Sequence, residues 1–117
     1  MAGNRGLAPP EVLLRVFVAD DHPAILDAVK QYMDGEDGLE FVGSAADGEE
    51  ALRLIEQRRP DVAVLDIRMP KFGGIEMLRR LGGRSDAPLV ILYTGYPERG
   101  LLLEALDVGA RGFLLKE

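Results

Sequence analysis

The feature that most constrains the fold is a regular alternation of short apolar runs with longer amphipathic stretches. The runs VLLRVFVA, LEFVGSAA, DVAVLD and PLVILYTG are each followed by a segment whose apolar residues recur at helical spacing. A last apolar run, RGFLLKE, closes the series. Because strands that alternate with helices are joined by right-handed crossovers, the sequence predicts an α/β domain with a parallel sheet between two helical layers.

The amphipathic stretches also indicate which helix faces are buried. The residues expected to face the core are Ile25, Ala28, Val29, Tyr32 and Met33 in the first helix, Ala51, Leu52 and Ile55 in the second, Ile75, Leu78 and Leu81 in the third, and Leu102, Ala105 and Leu106 in the fourth. In the fourth helix, Leu101 and Leu103 lie off that face. We expect them either to pack against neighbouring helices or to form an exposed apolar surface for a protein partner.

Composition fits one soluble domain and excludes several functions. The chain has 117 residues, of which 47% are hydrophobic, and its net charge of −6 argues against direct nucleic-acid binding. It has no cysteine, so neither disulfides nor thiolate metal sites are possible. No apolar run approaches the roughly 20 residues that span a bilayer, and we expect no membrane partner and a cytoplasmic location. Residues 1–11 lack the apolar centre of a signal peptide and are expected to be a flexible leader to a domain over residues 12–117.

Polar side chains stand at the carboxyl ends of four predicted strands. Asp20 and Asp21 follow the first strand, Asp66 ends the third, Thr94 ends the fourth and Lys116 ends the fifth. Ligands of open α/β sheets bind at this edge, near the point where the strand order reverses. The sequence therefore predicts that three carboxylates, a hydroxyl and an ammonium group meet there.

This combination suits the transfer of a phosphoryl group to an aspartate. Three neighbouring carboxylates do not all stay ionised without compensation, and Mg²⁺, which takes one or two carboxylates and keeps several waters, would supply it. The metal could bind one phosphoryl oxygen while Lys116 and Thr94 bind the others. One carboxylate would be the nucleophile, since the reaction needs little beyond positioning and charge neutralisation.

Taken singly, the same residues have simpler explanations. Asp21 could cap the following helix, Thr94 could be an ordinary strand-end hydroxyl, and Lys116 could be solvated. The single histidine, His22, is expected in the first helical turn beside the site rather than in catalysis or metal binding. The chain has no GxxxxGK phosphate loop, which excludes that type of nucleotide site. The set of residues at four strand ends favours the phosphoryl site.

The motifs VADDHP, DVAVLDIRMP, LYTG and GARGFLLKE resemble the receiver domain of bacterial two-component response regulators. The likeness covers roughly residues 12–117 and is strongest to the NarL/FixJ-type subclass, whose members usually carry a C-terminal helix-turn-helix. It implies a flavodoxin-like, doubly wound sheet of five parallel strands in the order 2-1-3-4-5. Receivers normally have a fifth helix after the last strand, but here only Glu117 follows Lys116. We expect a fragment of a longer regulator, in preference to a disordered tail or an element exchanged in an oligomer.

The resemblance implies a role for each matching site residue. Asp66 would be the phosphoacceptor, Asp21 would bind Mg²⁺ directly, and Asp20 would bind it mainly through water. The backbone carbonyl of Arg68 would be a further metal ligand. Lys116 would pair with the phosphoryl group.

Further positions would transmit or shape the switch. Thr94 would turn inward to hydrogen-bond the phosphoryl group, and Phe113 would be the aromatic residue whose rotamer reports the state. Pro70 and Gly74 would shape the loop after the acceptor.

The implied function is a phosphorylation switch rather than an enzyme, apart from slow self-phosphorylation and self-dephosphorylation. A sensor histidine kinase would phosphorylate Asp66 and thereby change the surface of the fourth helix and fifth strand. Homodimerisation would follow, and DNA would be contacted only through an output domain outside this chain. One alternative is an aspartyl-phosphate phosphohydrolase, which would need a carboxylate where Arg68 stands. The other is a receiver-like binding module that works without phosphorylation.

Overall fold

Strands and helices alternate along the chain as the sequence predicts. The structure, a computed structural model, describes residues 13–82, 84–95 and 99–116; the predicted leader lies outside them. The strands are β1 (Leu14–Ala19), β2 (Leu39–Ala45), β3 (Val62–Asp66), β4 (Leu89–Thr94) and β5 (Gly112–Leu115). The helices are α1 (Pro23–Asp34), α2 (Gly48–Arg58), α3 (Gly74–Leu81) and α4 (Arg99–Asp107).

The five strands form one parallel sheet in the order β2-β1-β3-β4-β5, which confirms the predicted topology. The strand order reverses between β1 and β3, because the chain moves outward from β1 to β2 and then returns to β3 on the other side. In open α/β sheets this switch point is where ligands bind, outside the carboxyl ends of the strands. Asp20 and Asp66 stand at the ends of these two strands.

Each face of the sheet has its own apolar core. The larger core joins α2, α3 and α4 to the sheet around four fully buried side chains, Phe17, Leu65, Met77 and Leu92. The smaller core joins α1 to the opposite face through Val16, Val18 and Met33. Because β1 is covered on both faces, its sequence is almost continuously apolar. The predicted inner faces of α2 and α3 are confirmed.

Helix α1 is rotated relative to its predicted inner face. Met33 is buried, and Leu26 and Val29 pack beside it, but Ala28 is exposed and Tyr32 is 66% exposed. A tyrosine at the border of an apolar stripe can keep its hydroxyl in water, which favours the observed rotation. The predicted ends of the helix are confirmed, with Pro23 in its first turn and a glycine directly after Asp34.

The predicted inner face of α4 is wrong in part. Ala105 is fully buried as expected, but Leu101 packs against the larger core while Leu102 and Leu106 are exposed. Leu103 is also exposed, at 58%. Leucines on adjacent positions make more than one face of this helix apolar, so periodicity alone does not select the buried one. Leu101 is partly buried, and its role in an interaction surface stays a prediction.

The described residues contain four helices, α1 to α4, and β5 is the last element among them. On the α1 side of the sheet, Leu89 and Leu114 are about half exposed. Across the same described ranges, no helix has the length and hydropathy needed to cross a membrane.

Candidate functional site

The strand ends bring the predicted charged residues together. Asp20 follows β1 and is fully buried, and Asp66 is the last residue of β3 and is also buried. Lys116 follows β5 and places its Nζ 2.8 Å from Asp66 Oδ2 and 3.0 Å from Asp20 Oδ2. One ammonium group thus bridges two buried carboxylates that come from neighbouring strands.

Asp21 and His22 complete the cluster on its exposed side. Asp20, Asp21, His22 and Asp66 each offer one ligand atom, and these atoms lie within 4.8 Å of one another. Carboxylate oxygens are the ligands that Mg²⁺ prefers, and it needs only one or two of them. The donor set therefore fits a hard divalent cation.

The cluster opens into a cavity of about 520 Å³. Its walls are formed by Asp21, His22, Ile25, Asp66, Arg68, Gly95 and Lys116. Water occupies about 30 Å³ per molecule in the liquid, so the cavity has room for a hydrated cation and a phosphoryl group together. The arrangement can therefore hold an anionic group next to Asp66.

Asp66 is a buried carboxylate with incomplete compensation. The Arg68 backbone N–H donates to its Oδ1 at 3.1 Å, and Lys116 donates to its Oδ2. Burial nevertheless raises the pKa of Asp66 above its ordinary value, because these donors offset the loss of hydration only in part. Its oxygens are correspondingly more basic, which suits a nucleophile.

Asp20 is stabilised as a carboxylate. Its Oδ1 accepts from the His22 backbone N–H at 2.9 Å and lies 2.7 Å from His22 Nδ1. Its Oδ2 accepts from the Tyr93 hydroxyl and faces Lys116. Burial alone would raise the pKa of Asp20, but the hydrogen bonds from Tyr93, His22 and Lys116 outweigh it and hold the pKa below its usual range.

Asp21 does not cap helix α1, because the helix begins at Pro23 and the residue directly before it is His22. The N-cap residue is His22, and no side chain caps this helix end. The imidazole points back to Asp20 instead, and the hydrogen bond and charge of Asp20 raise the pKa of His22. The simpler explanation of Asp21 as a helix cap is therefore wrong. His22 lies beside the site, as expected.

The loop after Asp66 is folded tightly against its own strand. A Cβ on Gly73 would lie 1.7 Å from the carbonyl oxygen of Ile67, and one on Gly74 would lie 3.0 Å from that of Asp66. The Pro70 carbonyl accepts from the Gly48 N–H at 3.2 Å, which ties the loop to the start of α2. This close backbone packing explains the glycines and fixes the chain that follows Asp66.

The two predicted switch residues, Thr94 and Phe113, lie in the last two strands of the sheet. Thr94 is fully buried at the end of β4, and its carbonyl accepts from the Lys116 N–H at 2.8 Å. Phe113 is half-buried and packs against the larger core. Their roles in signalling remain predictions.

Tyr93 is a site residue that was not singled out from the sequence. Besides donating to Asp20, it places its ring beneath the Lys116 ammonium, whose Nζ lies 4.7 Å from the ring centroid. The available signal was a tyrosine in an otherwise aliphatic strand, since a buried tyrosine hydroxyl usually has a hydrogen-bond partner.

Comparison with known proteins agrees with this geometry. A family profile described as the response regulator receiver domain matches residues 16–117. The chain belongs to this family. Among curated proteins, this receiver domain is similar to the transcriptional regulatory protein YdfI of Bacillus subtilis, with 33% identity over 103 residues that cover 88% of this chain and 48% of YdfI. It spans about half the length of the curated relatives it matches.

Solved structures support the same family. The signal receiver domain of the putative response regulator NarL from Mycobacterium tuberculosis has a TM-score of 0.85 and 37% identity, covering 91% of this chain and 86% of that one. A CheX–CheY complex with BeF3 and Mg from Borrelia burgdorferi has a TM-score of 0.82 and 29% identity, covering 91% of this chain and 80% of that one. The resemblance inferred from the sequence, including that to NarL-type proteins, is confirmed.

Proposed function

We propose that this receiver domain accepts a phosphoryl group on Asp66 from a sensor histidine kinase. The observation that carries the proposal is the position of Asp66, buried at a strand end between Lys116 and the acidic pair, and lining the cavity. In the transfer, an Asp66 oxygen bonds to phosphorus as the phosphorus–nitrogen bond of the donor phosphohistidine breaks. The released imidazole takes a proton from solvent.

A divalent cation, Mg²⁺, would complete the site. Asp21 and Asp66 would bind it directly, Asp20 mainly through water, and the Arg68 carbonyl would be a further ligand. When bound, the metal would neutralise charge on the carboxylates and on the incoming phosphoryl group. The oxygen-rich cluster supports this assignment, as does the relative from Borrelia burgdorferi that was solved with BeF3 and Mg.

The remaining site residues would bind the phosphoryl group and convert it into a change of surface. Lys116 pairs with its oxygens, and the Thr94 hydroxyl donates to it. Both residues stand at the ends of strands that flank α4, so their movement shifts α4, β5 and Phe113 together. This is a two-state element biased by local charge.

The output surface in this proposal is formed by exposed leucines of α4 and β5. They are Leu102, Leu103 and Leu106 on α4 with Leu115 on β5. We propose that phosphorylation promotes a homodimer through this surface and controls transcription in the cytoplasm through an attached DNA-binding domain.

Leu103→Glu should lower the dimer fraction measured by analytical ultracentrifugation with a phosphodonor, while Tyr32→Glu on α1 should not. An unchanged dimer fraction in Leu103→Glu argues against this surface.

Intact-mass spectrometry tests the phosphoacceptor directly. With Mg²⁺ and acetyl phosphate, the wild-type chain should gain one phosphoryl group, and so should Asp27→Ala, which changes an exposed aspartate of α1. Asp66→Ala should gain none. A label that persists in Asp66→Ala contradicts the assignment.

The same experiment separates the proposal from its two alternatives. A lasting label indicates a switch, continuous consumption of acetyl phosphate indicates a phosphohydrolase, and no label indicates a module that works without phosphorylation. Arg68 disfavours the phosphohydrolase, because that position offers no carboxylate for acid–base catalysis.

A further inference from the structure

Tyr93 contacts the two charged residues that flank the phosphoacceptor. It lies in β4 directly opposite Asp66 of β3 in the sheet register, on the face that also carries Leu114. From there its hydroxyl donates to Asp20 Oδ2, and its ring lies beneath the Lys116 ammonium. A single side chain thus connects β1 to the residue that follows β5.

The hydrogen bond from Tyr93 affects how Lys116 is shared between the two carboxylates. Lys116 Nζ lies 3.0 Å from Asp20 Oδ2 and 2.8 Å from Asp66 Oδ2, so the two acids compete for it almost equally. Asp20 is fully buried, and water does not readily replace a donor lost there. Without the tyrosine hydroxyl, Asp20 Oδ2 would draw Lys116 away from Asp66.

We propose that Tyr93 is a positioning residue, whose hydroxyl satisfies Asp20 and so leaves Lys116 available to the phosphoryl group on Asp66. The effect on phosphorylation rests on the proposed function. The contact with Asp20 makes Tyr93 part of the cation site whether or not Asp66 is phosphorylated.

Tyr93→Phe removes the hydroxyl and keeps the ring under Lys116. Mg²⁺ should bind this variant at least as tightly as wild type by calorimetry, because Asp20 retains more unbalanced charge. Phosphorylation by acetyl phosphate at saturating Mg²⁺ should slow by roughly tenfold or more, the worth of one hydrogen bond to a charged group. The control Tyr32→Phe, at an exposed position of α1, should match wild type in both measurements.

A purely structural role for Tyr93 gives a different result, with Mg²⁺ affinity and phosphorylation rate falling together. That result overturns the inference, and so does an unchanged phosphorylation rate in a folded Tyr93→Phe protein.

Tyrosine absorption gives a second measurement, which starts from the wild-type chain. The chain has three tyrosines and no tryptophan, so its near-ultraviolet difference spectrum reports mainly on tyrosine. Adding Mg²⁺ to wild type should change this spectrum, because the cation polarises the carboxylate to which Tyr93 donates. The change should vanish in Tyr93→Phe and persist in Tyr32→Phe. A wild-type spectrum that does not respond at saturating Mg²⁺ overturns the inference.

The two proposals fail in distinguishable ways. A wild-type chain that shows the spectral response but takes no label on Asp66 refutes the proposed function and supports Tyr93 as part of a cation site. A chain that is labelled at the same rate with and without the hydroxyl refutes the inference about Tyr93 alone.

Discussion

Asp20 and Asp66 are both buried aspartates, yet their environments shift the pKa of each in opposite directions. Asp20 receives hydrogen bonds from Tyr93, His22 and Lys116, which outweigh burial and lower its pKa. For Asp66, burial outweighs Lys116 and the Arg68 N–H, and the pKa rises. Asp20 is therefore a fixed negative charge, whereas the carboxylate of Asp66 is more basic than usual, as the proposed phosphoacceptor role requires.

The raised pKa of Asp66 implies a cost to stability at neutral pH. Its pKa is higher in the folded chain than in the unfolded one, so the cost is present above the folded pKa and disappears as pH falls below the unfolded value. Without metal, Asp66→Asn should raise the melting temperature at neutral pH, because the amide has no charge to lose hydration. The gain should shrink in acid. Calorimetry across pH measures this, and a destabilised Asp66→Asn contradicts it.

Arg68 should prolong the life of the phosphoryl group. It lines the same cavity as Asp66, so we expect it to shield the phosphoryl group from water. Arg68→Ala should speed loss of the label by about fivefold, which corresponds to about 1 kcal/mol of activation free energy. The decay of the labelled mass after removal of acetyl phosphate gives the rate. Arg53→Ala on α2 is the matched control. An unchanged rate of label loss in Arg68→Ala contradicts the prediction.

Single residues were predictable where position alone decides their role. The alternation of strands and helices places Asp20, Asp66 and Lys116 at one sheet edge, and the structure brings them into contact. Tyr93 could not be assigned in this way. Its hydroxyl reaches Asp20 across the intervening strand β3, and that depends on strand order and register together.

The loop between β3 and α3 shows how an element holds a residue in place. Gly73 leaves no room for a Cβ against the Ile67 carbonyl, and the loop backbone is tied to α2 through Pro70 and Gly48. A side chain at Gly73 would have to displace backbone rather than a flexible side chain. The position of Asp66 is therefore fixed by its strand β3, by the loop that follows it and by the contact of that loop with α2.

Gly73→Ala should therefore be strongly destabilising. We expect a loss of about 3 kcal/mol or more in the free energy of unfolding, as for other changes that force strain into a packed backbone. Gly100→Ala is the control, because a Cβ at this position of α4 meets open space, and it should change stability by less than about 1 kcal/mol, in the stabilising direction. Urea unfolding of both variants gives the comparison; equal stabilities contradict the packing argument.

Helix α4 marks the limit of prediction at the element scale. Its existence and its inward Ala105 follow from the sequence, but its orientation does not. With Leu101, Leu102 and Leu103 adjacent, several rotations bury a leucine, and the choice falls to packing against the larger core. The amphipathicity of α3 leaves no such freedom, and its buried face was predicted correctly.

At the scale of the whole molecule, the site is formed by residues at the ends of β1, β3 and β5, which lie in both halves of the sheet. The order β2-β1-β3-β4-β5 was predictable from resemblance to a family, and the alternation alone gave only a parallel sheet. The clustering of acidic groups concentrates negative charge at one edge of a chain with a net charge of −6. Relief of that repulsion should make the entire fold sensitive to divalent cations.

Mg²⁺ should accordingly stabilise the domain. A ligand that binds only the folded chain adds about 2.7 kcal/mol at a free concentration about 100 times its Kd. Thermal unfolding with Mg²⁺ and after chelation by EDTA should show this difference in wild type and in Asp27→Asn, and much less of it in Asp21→Asn. An equal response in Asp21→Asn places the cation elsewhere.

The bridge from Lys116 to Asp20 joins residues near opposite ends of the described chain. Contacts between residues so far apart in the sequence form slowly, because the intervening chain must close into a loop first. Asp66 acquires its ammonium partner only when β5 has docked beside β4. A shortened chain that lacks this last segment would have Asp66 without its lysine. If Asp66 accepts a phosphoryl group as proposed, its phosphorylation would therefore depend on the complete sheet.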